Sequence, residues 1–289
     1  MRPRNLPPVA LTVAGSDSGG GAGIQADLKT FTVLGCYGMS AITAVTSQNT
    51  VCVSRALILP PDLVVSQMED VVTDIGCQAA KTGMLGAPEL VEAVAEAIEA
   101  LSVAPLVVDP VMVAKSGDVL LQDAAVAALV EHLLPLATVA TPNLPEAERL
   151  LGRSIKTEDE MVDAARDLGQ LGCQAVVVKG GHRADAPVDV LWLADGDCVE
   201  LIEGPRLPSR NTHGTGCVFS AAITAYLAHG VPVPPAVHSA KHFVTEAIRH
   251  GLPLGRGHGP VNVLGAGPSL PQEQQAKTED EKPRGEGFR

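Results

Sequence analysis

Aromatic residues are scarce in this sequence: one Trp, two Tyr and four Phe among 289 residues. None sits in a basic cluster, so the stacking platforms that hold single-stranded nucleic acid are missing. Positive charge is also in short supply. Lys and Arg total 21 against 33 Asp and Glu, a formal net charge of −12, and that balance repels nucleic acid phosphates and anionic headgroups. Neither a nucleic acid nor a membrane partner is expected. No unbroken apolar run is long enough to span a bilayer, and Met1 to Pro8 lacks the apolar stretch of a secretory leader. The six cysteines (Cys36, Cys52, Cys77, Cys173, Cys198 and Cys217) show no Cys-x-x-Cys spacing. Their scatter argues against a zinc ribbon or a disulfide framework and fits a reducing cytoplasm. Missing too are a Gly-x-x-x-x-Gly-Lys-Ser/Thr loop and a His-Glu-x-x-His pair, since His238 and His242 stand four apart without the Glu.

What the sequence does hold is apolar: 46% of residues, enough to bury one large core. Residues 1–267 are read as a single domain. Residues 268–289, rich in Gln, Glu, Lys, Pro and Gly, are expected to be a disordered tail, because they cannot bury enough apolar surface to order themselves. Apolar runs of strand length alternate with helix-period stretches, which predicts an α/β fold with a central, mostly parallel sheet and helices on both faces. Strands are expected over 9–14, 39–46, 79–82, 106–109, 138–141 and 175–179, and helices over 24–34, 87–101, 123–133, 158–170, 215–229 and 235–250. Gly35 is placed to end the first helix. Residues 188–193 and 198–202 flank Asp195-Gly196-Asp197, the chemistry of a hairpin turn, so an antiparallel piece is expected there.

Three segments carry chemistry. The first is the loop 14–23, with five glycines in ten residues at a strand-to-helix junction, where open α/β sheets bind ligands. A dinucleotide-binding loop is the rival reading, but that motif wants an acidic residue closing the second strand, and residues 40–49 contain none. A plain flexible turn is the bland alternative. The second segment is Asn211-Thr212-His213-Gly214-Thr215-Gly216-Cys217, directly before an apolar helix. Free backbone amides and the positive helix end form an anion hole suited to a migrating phosphoryl group. A thiol at that start is expected to have a lowered pKa, so Cys217 is a candidate base for an attacking hydroxyl; a small core cysteine beside a glycine cap is the alternative. The third is Asp109 after one strand, with Asn143 and Glu146 after the next. Hard oxygen ligands at strand ends suit Mg²⁺, although Glu146 also reads as an ordinary first-turn acid. Lys179 and Lys241 are candidate phosphate ligands, set against the usual solvated role of a lysine.

Taken together, these segments resemble a known family. Ala14-Gly15-Ser16-Asp17 with residues 19–30, Ser47-Gln48-Asn49-Thr50, Lys81-Thr82-Gly83-Met84-Leu85, residues 141–146, Lys179-Gly180-Gly181-His182, residues 211–217 and Gly257-His258-Gly259-Pro260-Val261-Asn262 look like the hydroxymethylpyrimidine/phosphomethylpyrimidine kinases of thiamine biosynthesis, which have the ribokinase-like fold. The resemblance implies ATP and Mg²⁺ as cofactors, a small pyrimidine as substrate and a homodimer. It implies Gln48 on the aminopyrimidine edge, where a carboxamide offers acceptor and donors together. Asp27 is placed near the substrate hydroxyl, and Gly15, Met84 and Val111 are placed around the ring. It further implies Cys217 as base, with Gly214, Thr215 and Gly216 supplying the anion hole. Lys179, Lys241 and Asn143 fall on the nucleotide side, and Asp109 and Glu146 around the metal. Sugar kinases of the fold carry Asp where Cys217 stands, which favours the pyrimidine and pyridoxal branch. Ser18-Gly19 replace the Pro-Ser usual in the family. Pyridoxal or pyridoxine phosphorylation and a non-catalytic pyrimidine-binding protein are the alternatives kept open, with a nicotinamide-dependent oxidoreductase behind them.

Overall fold

Strand β1 (Val9–Ser16) is buried along nearly its whole length, which places it in the middle of a sheet covered on both faces. Its side chains divide by parity: Val9, Leu11 and Val13 enter one apolar core and Ala10 the other, as the period of two requires. In this computed structural model, which describes residues 6–113, 117, 123–181 and 187–267, β1 lies between β2 (Tyr37–Gln48) and β4 (Ala79–Thr82), parallel to both. With β3 (Val53–Ile58), β5 (Leu106–Val108), β6 (Val139–Ala140), β7 (Ala175–Val178), β8 (Val188–Leu193) and β9 (Cys198–Glu203) the sheet has nine strands among the described residues, in the order β3-β2-β1-β4-β5-β6-β7-β8-β9. Neighbours from β2 to β7 run parallel; β3, β8 and β9 pair antiparallel at the two ends.

Helices cover both faces. α1 (Gly23–Val33), α7 (Thr215–Ala228), α8 (Val233–Arg249) and the short α9 (Val263–Ala266) feed one core, centred on Phe31, Tyr226 and Phe243. α2 (Pro61–Asp74), α3 (Pro88–Ala100), α4 (Asp123–Ala128), α5 (Leu144–Leu151) and α6 (Glu158–Gly169) feed the other. Truncating a wholly buried aromatic such as Phe31 would cost about 3–5 kcal/mol. α7 is apolar all round, and Val218 to Ala228 are buried without a break, the pattern of a helix enclosed by protein. The body of the helix is therefore held in place from every side, while Gly214 to Cys217 at its start stay half-buried. α5 and α6 each start with a reciprocal capping box, Asn143 with Glu146 and Thr157 with Glu160, satisfying two orphan donors apiece.

The expected strands and the antiparallel hairpin are present, with ends shifted by a residue or two. Two expectations change. Residues 53–74, unassigned from the sequence, form β3 and α2: β3 is an exposed edge, and α2 buries only Val64 and Met68, so neither shows a strong period. The helix expected over 123–133 is α4 followed by a π turn, Leu129–Leu133. The tail expected over 268–289 and His182 lie outside the described residues.

Candidate active site

The chain leaves β1 toward β2 on one side and returns to β4 on the other. The carboxyl ends of β1 and β4 therefore open a crevice at a topological switch point, the place where open α/β sheets bind ligands. A cavity of about 770 Å3 sits there, within the range of small-molecule sites. Gly15, Gln48, Met84 and Val111 line it, with Met84 Sδ 3.3 Å from where a Cβ on Gly15 would stand. Asn143, Lys179, Lys241, Asp109 and Glu146 line it as well, together with Gly214, Thr215, Gly216 and Cys217 at the α7 start. The fold thus brings together every site residue expected from the sequence except Asp27.

Asp27 lies behind the wall. It faces the sheet from α1 with no exposed surface, accepts a hydrogen bond from Thr12 Oγ1 at 2.7 Å, and meets Lys81 Nζ at 3.0 Å through both oxygens. A carboxylate sealed in a core needs a countercharge, and Lys81 of β4 supplies it while reaching the cavity in Asp27's place. Burial works to strip the proton from Lys81, but the carboxylates of Asp27 and Asp109 hold the ammonium above its ordinary value.

Asp109 ends β5 almost fully buried. Lys179 Nζ lies 3.1 Å from its Oδ1, and Thr141 Oγ1 and Ser220 Oγ donate at 3.2 and 3.1 Å. Burial pushes the Asp109 carboxyl up, yet Lys179 and Lys81 outweigh it and hold the group below the usual carboxylate range. Glu146 behaves oppositely. Burial, reinforced by Asp109 and opposed by Lys179, pushes its carboxyl up to about 7. Within its own first turn, Glu146 Oε2 accepts the Asn143 amide at 2.8 Å, so the first-turn role read from the sequence coexists with a place on the cavity. Lys241 Nζ donates to Asp189 Oδ2 at 2.6 Å, and Asp189 Oδ1 accepts the Gly180 amide at 2.9 Å.

The α7 start touches these charges. A Cβ built on Gly216 would lie 3.5 Å from Lys179 Nζ and 3.8 Å from Asp109 Oδ2. Gly214 takes φ +82° as N-cap, and a Cβ there would run into the Gly21 carbonyl of the first glycine loop, so only glycine serves. The two glycine loops are thus in contact. Cys217 departs from expectation: burial pushes its thiol up to about 12, with Lys81 opposing. Desolvation outweighs the helix terminus because α7 enters the core at once.

In the first glycine loop, Ser18 Oγ donates to the Gln48 carbonyl at 2.9 Å and accepts the Gln48 amide at 2.8 Å. The Gln48 Oε1 lies 3.2 Å from Thr46 Oγ1, and its amide nitrogen meets no acceptor among the described residues. Four residues were given no role from sequence: Asp17, Lys81, His213 and Ser220. All lie within or beside the quoted motifs, but only their meeting in space shows what they pair with.

The sequence matches the family profile described as phosphomethylpyrimidine kinase over residues 17–262. The chain belongs to this family. It is 51% identical to the hydroxymethylpyrimidine/phosphomethylpyrimidine kinase of Streptomyces coelicolor, over 90% of this chain and 96% of that one. It is 53% identical to the thiamine biosynthesis bifunctional protein of Geobacter sulfurreducens, over 88% of this chain but only 52% of that longer protein. Among solved structures, a Bacillus subtilis pyridoxal kinase in an ADP complex superposes with TM-score 0.83 at 42% identity, over 90% of this chain and 98% of that one. The Clostridium difficile phosphomethylpyrimidine kinase gives 0.74 at 42%, over 83% and 99%. The fold of this phosphomethylpyrimidine kinase family member is ribokinase-like, as its sequence predicts, and no helix among the described residues is long and apolar enough to cross a membrane.

Proposed function

We propose that the chain transfers the γ-phosphoryl group of ATP to the hydroxymethyl group of 4-amino-5-hydroxymethyl-2-methylpyrimidine, and then phosphorylates the resulting monophosphate for thiamine biosynthesis. The observation that carries this reading is one cavity whose wall includes Gln48 and Met84 as well as the Gly214 to Cys217 helix start and Lys179. In this reading Gln48 offers its free amide to the ring, with Gly15, Met84 and Val111 around it. The exposed α7 amides meet the migrating phosphate, and Lys179, Lys241 and Asn143 hold the nucleotide. Phosphoryl transfer asks a protein mainly for such positioning and charge stabilisation. Lys241 would exchange Asp189 for a phosphate oxygen.

Cys217 rests as a thiol. To act as base it must first release its own proton to solvent, and the Lys81 ammonium beside it stabilises the thiolate so formed; that thiolate then takes the substrate hydroxyl's proton, which the loose transition state releases late.

The donor set fits Mg²⁺. Asp109 and Glu146 are paired oxygen donors whose mutual repulsion helps keep Glu146 protonated, and among the described residues no cluster of three or more His, Cys, Asp or Glu holds a metal by itself. Magnesium commonly takes one or two carboxylates and completes its shell with phosphate oxygens and water. When bound, it would neutralise charge on the β- and γ-phosphates.

The proposal extends to a cytoplasmic homodimer built from one 1–267 kinase domain per chain. Edge strand β3 and its neighbour expose Leu57, Ile58, Tyr37 and Val45, an apolar sheet end of the sort that a second subunit covers. Pyridoxal phosphorylation is the second reading, favoured by the pyridoxal kinase of Bacillus subtilis at TM-score 0.83. An ADP-release assay offering each substrate in turn decides between them, and Cys217→Ala is expected to lower turnover by about two orders of magnitude. ATP-dependent turnover of neither substrate would refute the proposal, and equal rates would remove Cys217 from the chemistry.

A further inference from the structure

A buried acid–imidazole pair joins the two glycine loops. Asp17, in the loop after β1, is 3% exposed. Its Oδ1 accepts the Gly19 amide at 2.8 Å, while its Oδ2 accepts the amides of Gly21 at 3.0 Å and Ala22 at 2.9 Å and lies 2.9 Å from His213 Nε2. Burial pushes this carboxyl up, but the His213 and backbone donors more than reverse it and hold it below the usual range. A carboxylate can only accept, so His213 Nε2 carries the proton and donates.

His213 is also fixed from behind. Its amide donates to the Gly259 carbonyl at 3.0 Å and its carbonyl accepts the Val261 amide at 3.1 Å, a parallel bridge to the C-terminal segment around Pro260. The packing is close enough that a Cβ on Gly21 would lie 2.5 Å from the His213 ring and 3.0 Å from Pro260. Three segments far apart in sequence therefore converge on one side-chain pair. The pair sits one residue before Gly214, where the anion-binding backbone begins. Side-chain pairs with nearly every hydrogen-bonding site used are rigid, and shifting one partner by an ångström moves whatever it holds.

We propose that Asp17 and His213 are positioning residues, which hold the first glycine loop against the α7 start and so aim the Gly214 to Cys217 amides and thiol at the transferring phosphoryl group. The role rests on the kinase activity proposed above. Both residues lie on the cavity wall, but the carboxylate and Nε2 are spent on each other and on the loop amides, so each acts through the backbone it fixes, and the expected loss is in turnover rather than in substrate affinity.

The test is a steady-state ADP-release assay with the hydroxymethylpyrimidine and Mg-ATP on the full chain, with melting temperatures measured in parallel. His213→Ala should lower kcat about 30-fold or more while KM for both substrates stays within about threefold. His213→Gln, whose amide nitrogen can still donate to Asp17, should recover kcat to within about fivefold of wild type. Asp17→Asn keeps the size but turns a donor toward the loop amides and should behave as His213→Ala does, which covers the case of an alanine variant that does not fold. Unchanged kcat in folded His213→Ala, or a rise in KM at constant kcat, overturns the role. Equal losses in the Ala and Gln variants that track their melting temperatures also overturn it, because a merely structural pair behaves so. An inactive wild type overturns the activity and this role together, whereas an active wild type with unaffected variants overturns the role alone.

Discussion

Two carboxylate–lysine pairs stand at the carboxyl ends of neighbouring strands, and they are built for different work. In Asp27–Lys81 both side chains have no exposed surface, and the ammonium spans both carboxylate oxygens at 3.0 Å. In Asp109–Lys179 the lysine is 15% exposed toward the cavity and touches one carboxylate oxygen, while Ser220 takes the other. In the sealed pair Asp27 is turned from the cavity, and Lys81 alone reaches its wall while bound to both carboxylate oxygens. The open pair keeps part of its lysine on the cavity wall, where the proposed phosphate would lie. The lesson is that burial and an ion pair do not mark a catalytic group by themselves; the difference lies in which lone pairs and N–H groups still face the cavity.

Breaking one pair at a time sharpens the contrast. Lys179→Met should lower kcat about 100-fold, in keeping with loss of one charge at a transferring phosphate, and shift the melting temperature by no more than a few degrees. Lys81→Met should do most of its damage to stability, because removing one partner of a sealed pair costs about 3–5 kcal/mol, or roughly 5–8 °C for a chain of this size. Adding Asp27→Leu to it should restore much of that loss, since a matched apolar replacement leaves no stranded charge. If the two lysines gave the same profile in scanning calorimetry and in turnover, the distinction would be wrong.

A smaller effect concerns Glu146. Its carboxyl titrates at about 7 in the folded protein against 4.5 ordinarily, so the folded chain keeps a proton that the unfolded chain has released. Stability from this group is therefore complete below about 4.5 and is lost as pH rises through about 7. Without nucleotide or metal, Glu146→Gln should match wild type at pH 4.5 and melt about 5 °C above it at pH 8. A gap that does not widen with pH would contradict the assigned environment. The smallest effect is at the pyrimidine end: Ser18→Ala removes the two hydrogen bonds to the Gln48 backbone and should raise the pyrimidine KM about three- to tenfold with little change in kcat. An equal rise in KM for ATP would place Ser18 elsewhere in the mechanism.

Much of the fold was legible because the central strands are apolar throughout and the helices between them are periodic. Val9, Leu11 and Val13 with Ala10 need no further information to become a doubly covered strand. β3 and α2 were not legible, since an edge strand with Ser54, Arg55 and Leu57 exposed obeys no inside-outside rule. In the site, the glycine loops, Cys217 and the strand-end acids announced themselves by type and position. Asp27 did not, because a sequence cannot say which of two aspartates reaches a cavity and which meets a lysine 54 residues away. The upward shift at Cys217 was missed for the same reason: helix position is local, but the desolvation that overrides it comes from the whole of the buried α7. The Asp17–His213 contact spans 196 residues and had no local signal at all.

The most direct measurement is a crystal structure of the chain with a non-hydrolysable ATP analogue, Mg²⁺ and the hydroxymethylpyrimidine. The terminal phosphate should lie within hydrogen-bonding distance of the Gly214 to Cys217 amides, with the substrate hydroxyl between it and the Cys217 thiol and the ring against Gln48. A nucleotide seated away from the α7 start, or a pyrimidine bound with its hydroxymethyl group turned from Cys217, would contradict the account.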